Sequence, residues 1–210
     1  ETSNNNDLTV LNTPTNVSVG GREAIYFNNT TSTRDPAVGN YLFSDNSTIV
    51  NSFKYTETSY SMWIRVPSSP PYTFLFHLGN QSNNFVRMGV LSDRTIRCEY
   101  NNGTLTRMQP TGVISADTWH HIVIVINNTT KVIYVDSVLQ NTYSSGSSSD
   151  SGTVDDLTAS VVTFGGSYNN SSQITQSCQS DVYLSDFMVF DKTLSTDEIA
   201  DLYGEEVSAG

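Results

Sequence analysis

The side chains best suited to chemistry are few, and their spacing does not suit catalysis. Glycoside hydrolysis needs two carboxylates on one face, one acting as nucleophile or base and its neighbour as general acid. No such cluster occurs. Glu99 stands beside Cys98 without a second acid, Glu205 and Glu206 lie past the last expected helix, and Asp155 and Asp156 are adjacent. Adjacent residues of a strand face opposite ways. The three histidines, His77, His120 and His121, have no Ser or Cys nucleophile at a recognisable spacing. The two cysteines, Cys98 and Cys178, fit neither a C-x-x-C redox motif nor a zinc site. They leave two readings, one long-range disulfide or two free thiols. The residues assemble no catalytic set, and no enzyme is expected.

Asparagine carries more signal. Asn-X-Ser/Thr sequons fall at Asn16, Asn28, Asn29, Asn46, Asn80, Asn102, Asn127, Asn128, Asn169 and Asn170, while Pro14 spoils the one at Asn12. Nearly all sit in expected turns and loops, where a bulky glycan is tolerated. They point to a secreted glycoprotein, extracellular or displayed on a cell or virion surface. The oxidising compartment this implies favours the Cys98–Cys178 disulfide. Tyr72, Tyr100, Tyr143 and Tyr168, in or near loops, are the candidate platforms for a sugar ring, although turn packing explains any one of them as well.

The elements that must position these residues read almost throughout with a period of two. In Ser59 to Val66, Tyr60, Met62, Ile64 and Val66 alternate with Ser61, Trp63 and Arg65, as in a half-buried strand. Pro67, Pro70 and Pro71 end it. Tyr72 to His77, Asn84 to Leu91, Arg94 to Tyr100 and Leu105 to Met108 follow, joined by turn chemistry at Ser92-Asp93 and Asn101-Asn102-Gly103. Trp119 to Ile126 is apolar on both faces, the pattern of a central strand covered on each side. Lys131 to Val135 and Val138 to Thr142 form a hairpin around Asp136-Ser137; Val161 to Phe164 and Asp181 to Phe190 are the last strands. Tyr143 to Thr153 is Ser/Gly-rich and reads as a mobile inserted loop. Ser195-Thr196-Asp197-Glu198 is a capping box opening one helix, with Ile199, Leu202 and Tyr203 on its apolar face and Gly204 as its stop. The expected fold is all-β, a two-sheet antiparallel sandwich of jelly-roll type with one short C-terminal helix. Residues 1–19 form an arm or extra strand, 20–204 the domain and 205–210 a tail.

Composition narrows the function further. Charged residues make up 15% of the 210, and 10 Lys+Arg against 21 Asp+Glu give a net charge of −11. Nucleic acid and anionic membrane surfaces both select clustered Lys and Arg, so neither is an expected partner. The longest apolar run, Ile122 to Ile126, falls far short of the roughly 20 residues of a membrane span, and no membrane insertion is expected. The start at Glu1 reads as a mature or trimmed end.

Six segments, in order, resemble laminin-G-like domains of the concanavalin-A-like lectin superfamily. Tyr60 to Arg65 is similar to the family's "fs-x-W-v-k" strand, and Leu75 to Gly79 to "i-l-s-l-g". Asp117 to Val123 resembles "g-x-W-H-H-v-a", and Val132 to Asp136 resembles "l-x-l-Y-v-D-G" with Ser137 in place of glycine. Phe164-Gly165-Gly166 is similar to "i-G-g", and Leu184 to Tyr203 resembles the terminal strand and helix. The resemblance implies that Trp119, His120 and His121 are scaffold. It also implies one structural Ca²⁺, with a ligand at a position here filled by Ser185 beside Asp186; Asp35, Asn40 and Asp45 in the early loops are further oxygen donors.

The function so implied is a non-catalytic extracellular recognition or adhesion module that binds glycan or protein. The alternative is a glycosylated structural subunit of an extracellular filament, fibre, coat or spike, self-associating through the arm, where Leu8, Val10 and Leu11 would add a strand to a neighbour. A glycan-active enzyme ranks last.

Overall fold

A computed structural model describes residues 8–11, 14–28, 40–70, 72–80, 83–110, 112–140, 152–159, 161–169, 173–177 and 182–208. In chain order the elements are β1 (Thr9–Leu11), β2 (Thr15–Val19), β3 (Arg22–Phe27), β4 (Tyr41–Ser44), α1 (Ser47–Asn51), β5 (Thr58–Arg65), β6 (Thr73–Asn80), β7 (Asn84–Val90), β8 (Ile96–Asn102), β9 (Leu105–Met108), β10 (Trp119–Ile126), β11 (Lys131–Val135), β12 (Val138–Leu139), β13 (Val161–Phe164), β14 (Gly166–Asn169), β15 (Gln173–Ser177), β16 (Val182–Phe190) and α2 (Thr196–Ser208). Two seven-stranded sheets stack as a sandwich. The first runs β1-β4-β13-β6-β7-β8-β9 and the second β12-β11-β10-β5-β16-β3-β2, with β14-β15 as a separate small ladder.

Alternation decides which side chains fill the space between the sheets. Tyr60, Met62 and Ile64 of β5 and Ile122, Ile124 and Ile126 of β10 meet Phe76, Leu78, Val86, Met88, Cys98 and Tyr100 of the first sheet in one core cluster. The opposite face of β10 is also buried. Val123 and Val125 pack with Tyr134, Leu194 and Ile199 under α2, which explains a strand apolar on both sides.

The capping box at α2 is formed. The Ser195 N–H donates to Glu198 Oε2 at 2.8 Å, and the Glu198 N–H donates to Ser195 Oγ at 3.3 Å. The helix does not stop at Gly204 as expected. It continues to Ser208, taking in Glu205 and Glu206, because one glycine costs a helix only about 1 kcal/mol. The arm is folded onto its own chain: β1 pairs with β4 at the edge of the first sheet, and β2 pairs with β3 at the edge of the second. Of the Ser/Gly-rich loop, residues 143–151 lie outside the described residues, while Thr153 and the following Val154 and Leu157 are buried.

Candidate recognition surface

The W-H-H segment and the Asp136 turn lock the sandwich rim. Trp119 Nε1 donates to the Val19 carbonyl at 2.9 Å, tying β10 to the β2–β3 hairpin. His120 Nδ1 lies 2.7 Å from Asp136 Oδ2, and its Nε2 accepts from the Ser115 N–H at 3.1 Å. A backbone N–H can only donate, so Nδ1 carries the ring proton and faces the carboxylate. Asp136 Oδ1 accepts from the His121 N–H at 2.9 Å. His121 Nε2 sits 2.7 Å from Ser61 Oγ on the neighbouring strand, and burial drops its pKa to about 4, opposed by Asp136 and assisted by Arg22. Among the described residues the hydroxyl beside these histidines is that of Ser61, which is fully buried. Beside them a cavity of about 350 Å³ is lined by Ile96, Val113, Ile114, His120, Asp136 and Val138, among others.

Among the described residues, those expected to hold calcium have other partners or lie apart. Asp186 is taken by Arg22 Nη1 at 2.8 Å and accepts from Ser185 Oγ at 2.5 Å. A guanidinium stands where a cation would sit. Asn40 donates to the Asn28 carbonyl at 2.6 Å, Asp45 is exposed ahead of α1, and Asp35 lies outside the described residues. Among the described residues no three His, Cys, Asp or Glu side chains gather into a metal-holding group. The donor set around Asp186 therefore does not fit a calcium ion.

The outer face of β6–β9 carries the most unusual chemistry of the described surface. Register aligns Arg87, Glu99 and Arg107 across β7, β8 and β9, because Arg87 faces Glu99 and Glu99 faces Arg107. Glu99 is 2% exposed. Its Oε2 accepts from Arg87 Nε at 2.6 Å and lies 2.6 Å from Arg87 Nη2; its Oε1 accepts from Arg107 Nε at 2.9 Å and lies 2.8 Å from Arg107 Nη2. Burial pushes the Glu99 carboxyl up, but the charges and hydrogen bonds of Arg87 and Arg107 outweigh it and hold the group below the usual carboxylate range. Glu99 thus does not stand alone, as its sequence neighbours suggest. The Arg87 guanidinium lies over Phe74 at 4.8 Å and Phe85 at 4.3 Å from the ring centroids. Two residues along β8, Arg97 donates from Nε to Gln109 Oε1 at 3.2 Å and lies 5.9 Å from the Tyr72 ring centroid. Sequence reasoning passed over these three arginines. The signal was present: the hairpin turns at Ser92-Asp93 and Asn101-Gly103 set the register that puts them on one face.

The four candidate tyrosines separate. Tyr72 is partly exposed on this face and packs edge-on against Phe74 at 4.8 Å. Tyr100 is a correction: it is fully buried and its hydroxyl donates to the Thr153 carbonyl at 3.0 Å, so it offers no platform. Its position on β8 alternates with Glu99, which puts it inside. Tyr168 belongs to β14, and Tyr143 lies outside the described residues. Of the sequons, Asn16, Asn28 and Asn128 are exposed. Asn46 caps α1, accepting from the Thr48 N–H at 2.9 Å. Asn80 donates to Thr158 Oγ1 at 3.4 Å, and Asn127 accepts from the Thr130 N–H at 2.7 Å while donating to Thr193. Asn102 is half-buried at the end of β8, Asn169 belongs to β14, and Asn29 and Asn170 lie outside the described residues. Cys98, one half of the expected disulfide, carries a free thiol buried among core side chains, where burial pushes its pKa up; Cys178 lies outside the described residues.

Comparison with curated proteins finds no match. Solved structures do match in fold. Botulinum neurotoxin type C, described as depending on two ganglioside molecules to enter cells, aligns with a TM-score of 0.66 at 17% identity over 95% of this chain and 46% of the toxin chain. The binding domain of botulinum neurotoxin DC in complex with SialylT aligns at 0.67 and 16% identity, again over 95% and 46%. The same domain in complex with rat synaptotagmin II aligns at 0.67 and 15%, over 95% and 46%. The chain thus spans about half the length of these structures. Residues 17–200 match the profile of the Laminin_G_3 family, described as the concanavalin A-like lectin/glucanases superfamily, and the chain belongs to that family.

Proposed function

We propose that this chain is a non-catalytic, extracellular recognition module that binds a glycan or a protein through the outer face of β6–β9. The observation that carries the reading is the set of three arginines and Tyr72 gathered around buried Glu99 on that face. The toxin domains of the same fold are described in complex with SialylT and with synaptotagmin II, which supports a glycan or protein partner. Glu99 supports the absence of catalysis, because a carboxylate held below its usual range by two guanidiniums keeps no proton to give a leaving group. Exposed sequons at Asn16, Asn28 and Asn128 support a secretory route. The alternative of a subunit assembling through its arm is less favoured, since β1 and β2 are hydrogen-bonded within their own chain.

The test is a thermal-shift screen against a broad panel of glycans and candidate protein ectodomains. A ligand at a hundred times its Kd adds about 2.7 kcal/mol, a rise of roughly 5–10 °C in a domain of this size. Tyr72→Ala should abolish the rise without lowering the Tm of the free protein by more than a few degrees. A flat response across the panel, or one that Tyr72→Ala leaves intact, sinks the assignment to this face.

A further inference from the structure

The charge on the β6–β9 face exceeds what its own fold requires. Glu99 needs one guanidinium to neutralise it, yet Arg87 and Arg107 both hold it, and Arg97 stands one rung away. Three of the chain's 10 Lys and Arg residues thus share this patch with one carboxylate, two of them bonded to it and the third to Gln109, in a protein of net charge −11. Like charges on neighbouring strands repel and cost stability. A face selected for stability alone would not carry them.

The donors are also incompletely used. Arg87 spends Nε and Nη2 on Glu99, and among the described residues its Nη1 amino group has no hydrogen-bond partner. Its side chain is 25% exposed, so that group meets solvent. Stacking over Phe74 and Phe85 fixes the guanidinium plane, and Glu99 fixes its rotation. Arg97 gives Nε to Gln109, hydrogen-bonds the Tyr72 side chain and lies beside its ring. Burial and the Glu99 charge raise the Tyr72 pKa, against the lowering charges of Arg87 and Arg97 and the Arg97 hydrogen bond, so the ring stays neutral and its hydroxyl protonated.

Resting on the recognition reading above, we infer that the ligand of this face is a carboxylate-bearing sugar. The planar carboxylate matches guanidinium N–H groups held in a fixed orientation, and Tyr72 supplies a flat apolar surface for the ring. Arg87 and Arg97 are the carboxylate-binding residues, Tyr72 the ring platform, and Glu99 the positioning residue that holds Arg87 in place.

The test uses the full chain and calorimetric titration with four probes: a galacturonic acid tetramer, its methyl ester, a sulfated oligosaccharide of similar size, and an oligoglutamate. The tetramer should bind, its methyl ester at least tenfold more weakly. Arg97→Gln should weaken the tetramer at least tenfold while leaving the free protein's Tm within a few degrees. If that variant fails to fold, Arg97→Lys keeps the charge, loses the planar fork and should still weaken binding. Equal binding of acid and ester overturns the inference but spares the recognition reading. Tighter binding of the sulfated sugar or of oligoglutamate overturns the carboxylated sugar in favour of another anion. If all four acidic and esterified probes are silent while a neutral glycan or protein binds, this inference alone falls. If nothing binds, both fall.

Discussion

Replacing Ser137 with glycine should make the protein more stable, and replacing Asp136 with glycine should make it less so. The two residues form the whole loop between Val135 and Val138, which pair directly across the hairpin. Their φ angles are +51° and +62°, the left-handed pair of a type I′ turn. An L-residue with a side chain pays about 1–2 kcal/mol in that region. Glycine escapes this cost but loses more backbone entropy on folding, about 0.5–1 kcal/mol. For Ser137, half-buried and with no side-chain hydrogen bond among the described residues to lose, the balance favours Ser137→Gly by about 0.5–1 kcal/mol, or roughly 1–4 °C in Tm. Asp136→Gly relieves the same strain but strips two bonds, the 2.9 Å acceptor for the His121 N–H and the 2.7 Å contact to His120 Nδ1. Losing a charge-assisted bond and orphaning a buried N–H costs about 3 kcal/mol together, so the net is a loss of about 2 kcal/mol, roughly 4–8 °C. Reversible thermal unfolding at pH 7, followed by circular dichroism, measures both. If Ser137→Gly lowers Tm, or if Asp136→Gly raises it, the reading of this turn as a strained loop held by an aspartate is wrong.

Two further outcomes follow from the core. Burial lowers the pKa of His77 to about 3, with Arg87 adding to the effect, and that of His121 to about 4, against about 6.5 unfolded. The unfolded chain therefore takes up protons first, so stability is full above about pH 6.5 and falls by several kcal/mol towards pH 4; urea midpoints measured across that range should decline, and His121→Gln should flatten the decline. Gly165, in the Phe164-Gly165-Gly166 segment, has φ +80°, and a Cβ there would lie 2.4 Å from Phe27 Cδ1. Gly165→Ala should cost about 3 kcal/mol from strain plus overpacking, read as a Tm fall of roughly 6–12 °C, and an unchanged Tm would show that Phe27 yields freely.

Much of the fold was legible in the chain because local rules act on neighbouring residues. Alternation in Ser59 to Val66 and the two-sided apolarity of Trp119 to Ile126 named the inward side chains and the covered strand. The Ser195–Glu198 spacing fixed the start of α2. The end of α2 was misread, because Gly204 is a stop signal by propensity alone and a helix can absorb its small cost. The stretch expected as an arm or extra strand holds β1 and β2, but β3 (Arg22–Phe27) carried no local signal, and pairing with β2 on one side and β16 on the other supplies what local pattern lacks.

The recognition surface was harder to see, for a reason that is geometric. Period two tells which side chains share a face of one strand, so it placed Glu99 opposite Cys98 and Tyr100. It does not tell which residue of the next strand stands alongside, and Arg87, Glu99 and Arg107 lie 12 and 8 residues apart in sequence. Composition and alternation determined that this protein is a two-layer β-sandwich with an acidic, sequon-rich surface. Only the folded arrangement of strands decided that its scattered arginines gather around one buried carboxylate and that Asp186 is taken by Arg22. Electrostatic contacts act over a few ångströms of space, and only folding converts sequence distance into that space.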